Sequence, residues 1–416
     1  MSQRINSYYG RRPIEYRASV DNCIMLWNDD ITYAMTPFKL LTLPLGVWPL
    51  QKYNTFSLFR SIASGISMTV MTIILFLEIN FGSGDAYVKL DALMLMSCTV
   101  LCALKVLSFR LYADNMIRNF SSAVKDYLAI DNERTRTIMR RHAFMGRMIC
   151  YSIIFSTYAA SVIFFLLPII ADDGEDIQIN VTIKNQGAEL PVPITFLGDL
   201  HIPTILYFTI NTMQLFMLIF IGTGNCGSDS LFLGITVHLC GQMELLKVEF
   251  FKYGMKSGNL NKDFSVLASR HSYLIEHAKF LTEVISSVLL VQVFSSCLII
   301  SLIGFQLIIA LKAHDAVMII KSVTVLSSLL LQLFLYSFVG DYLKCQMEEI
   351  ADSIYGCKWH SLQTKLMRNV VFVTMRSQRP VQLFAGKFLV VNLKTYMTIL
   401  KSSLSYLSVL RVMMDA

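Results

Sequence analysis

The chain has 416 residues, 54% hydrophobic and only 16% charged, with a mean hydropathy of +0.54 and a formal net charge of +7. Soluble domains carry roughly 25% charged residues, so a large water-soluble protein is excluded. About 20 helical residues cross a ~30 Å hydrocarbon core. Taken in chain order, the opening MSQRINSYYGRRPIEYRASVDN is polar, so no amino-terminal secretory signal is expected and the first span serves as its own insertion signal. Seven apolar runs follow, at about 56–79, 87–109, 143–170, 202–222 (continuing toward 240), 278–310, 316–343 and 383–413. The expected fold class is an all-α polytopic membrane protein with seven transmembrane helices.

Lysine and arginine placement orients the spans. Arg110, Arg118, Lys125, Arg134, Arg136, Arg140, Arg141 and Arg147 follow the second span, and Lys247, Lys252, Lys256, Lys262, Arg270 and Lys279 follow the fourth. Lys344, Lys358, Lys365, Arg368, Arg376 and Arg379 follow the sixth. NFGSGDA and the acidic ADDGEDIQINVTIKNQGAELPVPITFLGD are nearly bare of basic residues. The amino terminus and the even-numbered connections are therefore expected in the cytoplasm, and the carboxyl terminus outside. That orientation makes the sequon Asn180-Val-Thr182 an extracellular glycosylation acceptor. All nine cysteines then lie in spans or on the cytoplasmic side, where thiols stay reduced. G-protein-coupled receptors have the opposite orientation, which excludes that seven-span class.

Residues 110–142 and 241–278 lack proline and mix charged with apolar residues, as helices extending from the spans would. Met243, Leu246 and Phe250 share one helical face there, spaced as a buried stripe. From Ile202 to His238 an unbroken helix would measure roughly 55 Å. The stretch GTGNCGSDS is therefore where it is expected to leave the membrane or kink, at Gly222 and Gly224. The GxGxxG pattern at Gly222, Gly224 and Gly227 follows a membrane segment rather than a strand, so close helix packing accounts for it better than nucleotide binding. His271, Glu276 and His277 match no zinc spacing and read as a solvated helix face. No nucleophile elbow, paired carboxylates or phosphate loop is present, so there is no case for an enzyme or a cofactor.

The last run is unlike the others. On a helical wheel, Lys394, Thr395, Thr398, Lys401, Ser402, Ser405 and Ser408 share one arc of about 140°. The opposite arc is apolar but for Ser403 and Arg411. A hydroxyl stripe faces either other helices or water. Two lysines favour water, because a bare charge in hydrocarbon costs at least ~2.5 kcal/mol. Toward the end the arc turns apolar at Val409, Val412 and Met413, as a pore closed by dewetting requires. One helix cannot enclose a pore, so an oligomer is implied.

RSQRPVQLFAGKF followed by LKTYMTILKSSLSYLSVLR strongly resembles the carboxyl-terminal signature of insect odorant receptors, over roughly 340–416. SDSLFLGITVHLCGQMELL matches more weakly, and LGVWPLQKYN resembles hymenopteran members. The TYxxxxxQF-like pattern of gustatory receptors is absent.

The resemblance implies a ligand-gated cation channel of four subunits around one pore lined by the last helix, with cytoplasmic extensions packed into an anchor domain. It places pore-lining positions at Thr395, Thr398, Ser402 and Ser405 and the gate at Val409 and Met413. The long fourth-to-fifth connection of co-receptor members is missing, so the chain resembles a ligand-tuned subunit that joins a co-receptor in a heterotetramer. The implied pocket for a small volatile lies in the outer halves of spans two, three, four and six. There the chain offers Tyr87, Leu90, Met94, Tyr158, Val162, Tyr207, Phe208, Asn211, Met318, Ser322 and Val325.

The chain so divides into a cytoplasmic entry segment (1–55), a six-helix ligand-binding bundle (56–343), an anchor segment (344–382) and a pore helix (383–416). The implied location is the plasma membrane of an olfactory neuron dendrite, with membrane lipid as surroundings and no nucleic-acid partner. Two alternatives stay open: a transporter or non-channel receptor whose last helix merely packs, and a contact receptor for cuticular hydrocarbons with a longer pocket.

Overall fold

The computed structural model describes residues 27–171, 180–182, 195, 201–254 and 259–415, apart from Tyr53 and Asp85. The chain runs α1 (Asp29–Thr42), α2 (Thr55–Phe81), α3 (Ala86–Leu111), α4 (Ala113–Leu128), α5 (Glu133–Ala171), β1 (Asn180–Thr182) and β2 (His201–Pro203). It continues through α6 (Thr204–Phe251), α7 (Leu260–Ala313), α8 (Ala316–Tyr355), α9 (Thr364–Ser377), β3 (Phe384–Ala385), β4 (Leu389–Val390) and α10 (Leu393–Asp415). Asparagine or aspartate caps begin several helices: Asn28 accepts from the Ile31 amide, Asn54 from Ser57 and Asp315 from Met318. Each satisfies an amide that the helix cannot.

Six helices are long and apolar enough to cross a membrane among the described residues. The 23-residue α10 has the length, but its lysines and hydroxyls leave it outside that set. α2 shows what the solvent is. Phe56, Phe59, Ile62, Ile66, Ile73 and Phe76 are exposed, whereas Ser57, Ser64 and Glu78 are buried. A stripe of this kind suits lipid outside and protein inside, the reverse of a soluble helix.

α6 is the hub. Its most apolar window is 83% buried, against 17–50% for the other spans, and it packs on α1, α3, α4, α5, α7 and α8. It neither breaks nor ends at GTGNCGSDS; at 48 residues it runs about 72 Å, so the surplus continues as an extension beyond the spans. A Cβ at Gly222 would sit 2.9 Å from Thr157, one at Gly224 2.3 Å from Cys102, and one at Gly234 2.3 Å from the Phe38 ring. These glycines let neighbouring helices touch the α6 backbone.

The expected buried stripe of Met243, Leu246 and Phe250 is buried. The expected solvated face at 271–277 is corrected in part. Glu276 is exposed, but His271 and His277 are buried. α4 packs over α7 there, and His277 Nδ1 meets Asn119 Oδ1 at 2.8 Å. Residues 383–392 also depart from the expected span: they form the β3–β4 hairpin, turning at Gly386 with φ +63°. Gly386 donates to the Ser286 carbonyl at 2.8 Å and accepts from its hydroxyl at 2.7 Å, which pins the hairpin to α7.

Gly234→Ala forces a methyl into the buried Phe38 ring, and overpacking of this kind costs about 1–3 kcal/mol. Gly65→Ala meets nothing within 4 Å. The expected outcome is a lower unfolding temperature in detergent for G234A and an unchanged one for G65A.

Candidate ligand cavity and pore helix

A cavity of about 170 Å³ lies inside the bundle. Met94, Leu95, Cys98 and Leu101 of α3 form one wall, and Ile153, Ser156, Thr157, Ala160 and Ser161 of α5 another. α6 contributes Leu218, Ile221, Gly222, Asn225, Cys226 and Asp229. α7 adds Ser296 and Ile299, and α8 adds Val325, Ser328, Leu329, Leu331 and Gln332. Ser156 donates across to Ser328 at 2.8 Å, tying α5 to α8 beside the cavity.

Its floor is ionic. Lys105 of α3 meets Asp229 of α6 at 2.7 Å, with side chains 0% and 1% exposed. Tyr336 donates to Asp229 Oδ1 at 2.6 Å, and Gln332 Nε2 donates to Oδ2. Lys105 also donates to Asn225 Oδ1 at 3.3 Å, and Asn225 passes an amide proton to the Cys98 carbonyl at 3.0 Å. Both carboxylate oxygens are occupied and the pair is neutral, so a ligand above it meets no free charge.

Of the residues expected around a ligand, Met94 and Val325 line this cavity. Leu90, Tyr158, Val162, Phe208, Asn211, Met318 and Ser322 do not. Val162 and Phe208 are exposed on the outer surface. The Tyr158 hydroxyl bonds Thr223 at 2.7 Å. Asn211 Oδ1 and the Ser322 hydroxyl are buried without partners among the described residues, farther from the ionic floor. The side chains of Tyr87 and Tyr207 lie outside the described residues. The cavity therefore begins at the deep edge of the expected set. The signal that reaches it was present in the sequence: one lysine in LCALKVL and one aspartate in GSDSLFL, each an ionisable group inside an apolar run.

α10 rests on α7 and α8. Ser403 is its buried serine, 3.5 Å from the Cys297 carbonyl, and Tyr396 meets Phe334 edge-on at 5.9 Å. Of the expected pore-lining residues, Thr398 and Ser405 are exposed, whereas Thr395 and Ser402 are half-buried. Val409 is exposed, and the side chain of Met413 lies outside the described residues. Lys394 and Lys401 are exposed and make no ion pair among the described residues. The larger groove of about 480 Å³ between α7 and α9 is lined by Glu276, Lys279 and Arg376; that charged lining does not suit an apolar ligand.

Removing one member of a buried ion pair strands the other, at about 3–5 kcal/mol. Lys105→Met and Asp229→Asn are each expected to abolish folded protein at the cell surface. The double variant is expected to recover much of it, as surface biotinylation would report.

A family model described as 7tm Odorant receptor matches residues 88–404. Odorant receptor 2a of Drosophila melanogaster is 28% identical over 235 residues, covering 53% of this chain and 59% of that protein. Odorant receptor 45a of the same fly is 26% identical over 185 residues, covering 44% and 47%. The match thus spans about half the length of these curated relatives. The insect olfactory receptor OR5 from Machilis hrabei in complex with eugenol has the same fold, with a TM-score of 0.74 at 14% identity over 92% of this chain and 100% of that one. A second structure of OR5 from Machilis hrabei gives 0.76 at 15% identity, over 92% and 99%.

Proposed function

The chain belongs to the 7tm odorant receptor family, and from that premise we propose that it is the ligand-tuned subunit of an odorant-gated cation channel. The observation that carries the reading is the position of the cavity. Its walls include α7 and α8, the two helices on which α10 rests. Ser296 lines the cavity and the next residue, Cys297, touches α10 at Ser403. Gln332 lines it, and Phe334 two residues on touches Tyr396. A ligand that fits the cavity better when α7 and α8 are displaced biases α10 toward the open state; affinity alone opens nothing.

The volume supports a small volatile over a cuticular hydrocarbon. A cavity of about 150 Å³ accommodates benzene, so this one suits a single ring with a small substituent. At roughly 0.6–0.8 kcal/mol per heavy atom, a ligand of about ten atoms binds in the micromolar range. In this reading α10 lines a central pore, with Thr398 and Ser405 facing water and Val409 and Met413 closing it. The basic connections and the segment 344–382 lie in the cytoplasm, the carboxyl terminus lies outside, and the assembly is a heterotetramer with a co-receptor at the plasma membrane.

Whole-cell recording with a volatile panel is expected to give a ligand-evoked cation current only when an insect co-receptor is co-expressed. Ser405→Cys is expected to react with water-borne thiol reagents during activation; steady protection would make α10 a packing helix and favour the non-channel alternative. Asn180→Gln is expected to remove a glycosidase-sensitive mobility shift, whereas labelling of a cysteine placed at position 180 only after the membrane is permeabilised would reverse the assigned orientation.

A further inference from the structure

Each polar group around the cavity either has a protein partner or lacks one, and the difference specifies a ligand. The ionic floor is complete. Asp229 accepts from Lys105, Tyr336 and Gln332, and the Asn225 amide is committed at both ends. Ser328 is bonded to Ser156. Ser296 and Thr157 differ: both line the cavity and neither hydroxyl makes a hydrogen bond to protein among the described residues, and of the two Ser296 is the more buried, at 3% exposed. Elsewhere on α7, Ser301 returns its proton to the carbonyl one turn back, at 3.0 Å from Cys297. Gln332 spends its amide nitrogen on Asp229, which leaves its carbonyl oxygen without a protein donor.

A hydroxyl that opens on a mostly apolar cavity without a protein partner is unsatisfied there, and the space beside it is where a partner fits. Taking the cavity as the ligand site, we infer that its ligand is a neutral alcohol or phenol of single-ring size whose hydroxyl bonds Ser296. Three features set the class. The volume of about 170 Å³ limits the body to roughly one ring and a short substituent. The internally neutral Lys105–Asp229 pair offers no counter-charge to an amine or a carboxylate, and stripping either ion of water without one is costly. The remaining lining is mostly apolar, with hydroxyls that have no protein partner among the described residues at Ser296 and Thr157 and one vacant acceptor at Gln332. A hydroxyl both donates and accepts, so it serves either kind of group; a hydrocarbon leaves them unpaired. Sites built around a hydrogen bond reject the isostere that lacks it far better than apolar pockets reject a change in size. Ser296, the more buried of the two vacant hydroxyls, is thus the specificity-determining residue for the oxygen function, while Met94 and Val325 shape the apolar end.

The test uses isosteric probe pairs on the full chain with a co-receptor: 4-methylphenol against 1,4-dimethylbenzene, and 1-hexanol against heptane. The expected result is half-maximal current at least tenfold lower in concentration for each hydroxyl compound than for its partner. Ser296→Ala is expected to collapse that ratio toward one. Ser296→Cys, which keeps the size and a weak donor, is expected to retain part of it, with surface delivery checked for both. Equal potency within each pair, a ratio unchanged in S296A, or silence toward all four probes while an agonist of the co-receptor still gates the complex would each overturn the alcohol or phenol class. Val325→Trp, which fills the cavity, separates the two levels of the argument. Responses lost in V325W but indifferent to the hydroxyl keep the site and discard the class, whereas responses untouched by V325W discard the site itself.

Discussion

Lys105 and Asp229 meet at 2.7 Å in a place that water does not reach, and the bundle is arranged so that neither is left short of a partner. Ions stripped of water carry a penalty of several kcal/mol each, recovered only when geometry and supporting hydrogen bonds are good. Three helices supply what is needed: α3 the cation, α6 the anion and an amide, α8 a phenol and a second amide. The pair thereby fixes how α3, α6 and α8 are rotated and where they sit along their axes. A slide of one turn would move a charge about 5.4 Å from its partner. The floor of the cavity is set by the same requirement.

Around that pair, α6 acts as the column against which the other helices are laid. In lipid there is little hydrophobic drive between helices, so close approach and interhelical hydrogen bonds take its place. Glycines at 222, 224, 227 and 234 bring Thr157, Cys102, Leu41 and Phe38 against the α6 backbone. The cavity is the interval between these close approaches, bounded below by ions and at its side by the Ser156–Ser328 bridge.

α10 has the opposite character. It touches α7 and α8 through Tyr396, Ile399 and Ser403 and leaves Lys394, Thr398, Lys401 and Ser405 of its polar stripe, and an apolar flank, exposed. The stripe calls for water and the flank for lipid or neighbouring protein. The hairpin pinned to Ser286 and the Asp341 carboxylate, which caps the Leu393 amide at 2.9 Å, hold the start of α10 firmly to α7 and α8.

Hydropathy marked the spans, and the basic segments and the stripe of α10 were equally legible, because each is a property of neighbouring residues along one strand of chain. So was the burial of Met243, Leu246 and Phe250, whose spacing repeats with the helix. The burial of His271 and His277 was not legible, since it depends on Phe250 of α6 meeting the first and on α4 meeting the second. Nor was the depth of the cavity: periodicity says that a helix has two faces, but not which of several apolar faces turns inward when lipid and protein are alike. Local composition and spacing establish a helical membrane protein with one atypical final helix and isolated charges in two apolar runs. That Lys105 and Asp229 neutralise each other, and that Ser296 is left unpaired beside a space of ring size, follows from the packing of the bundle. Pairing and vacancy are relations between helices distant in the chain, and they exist only once the bundle has closed.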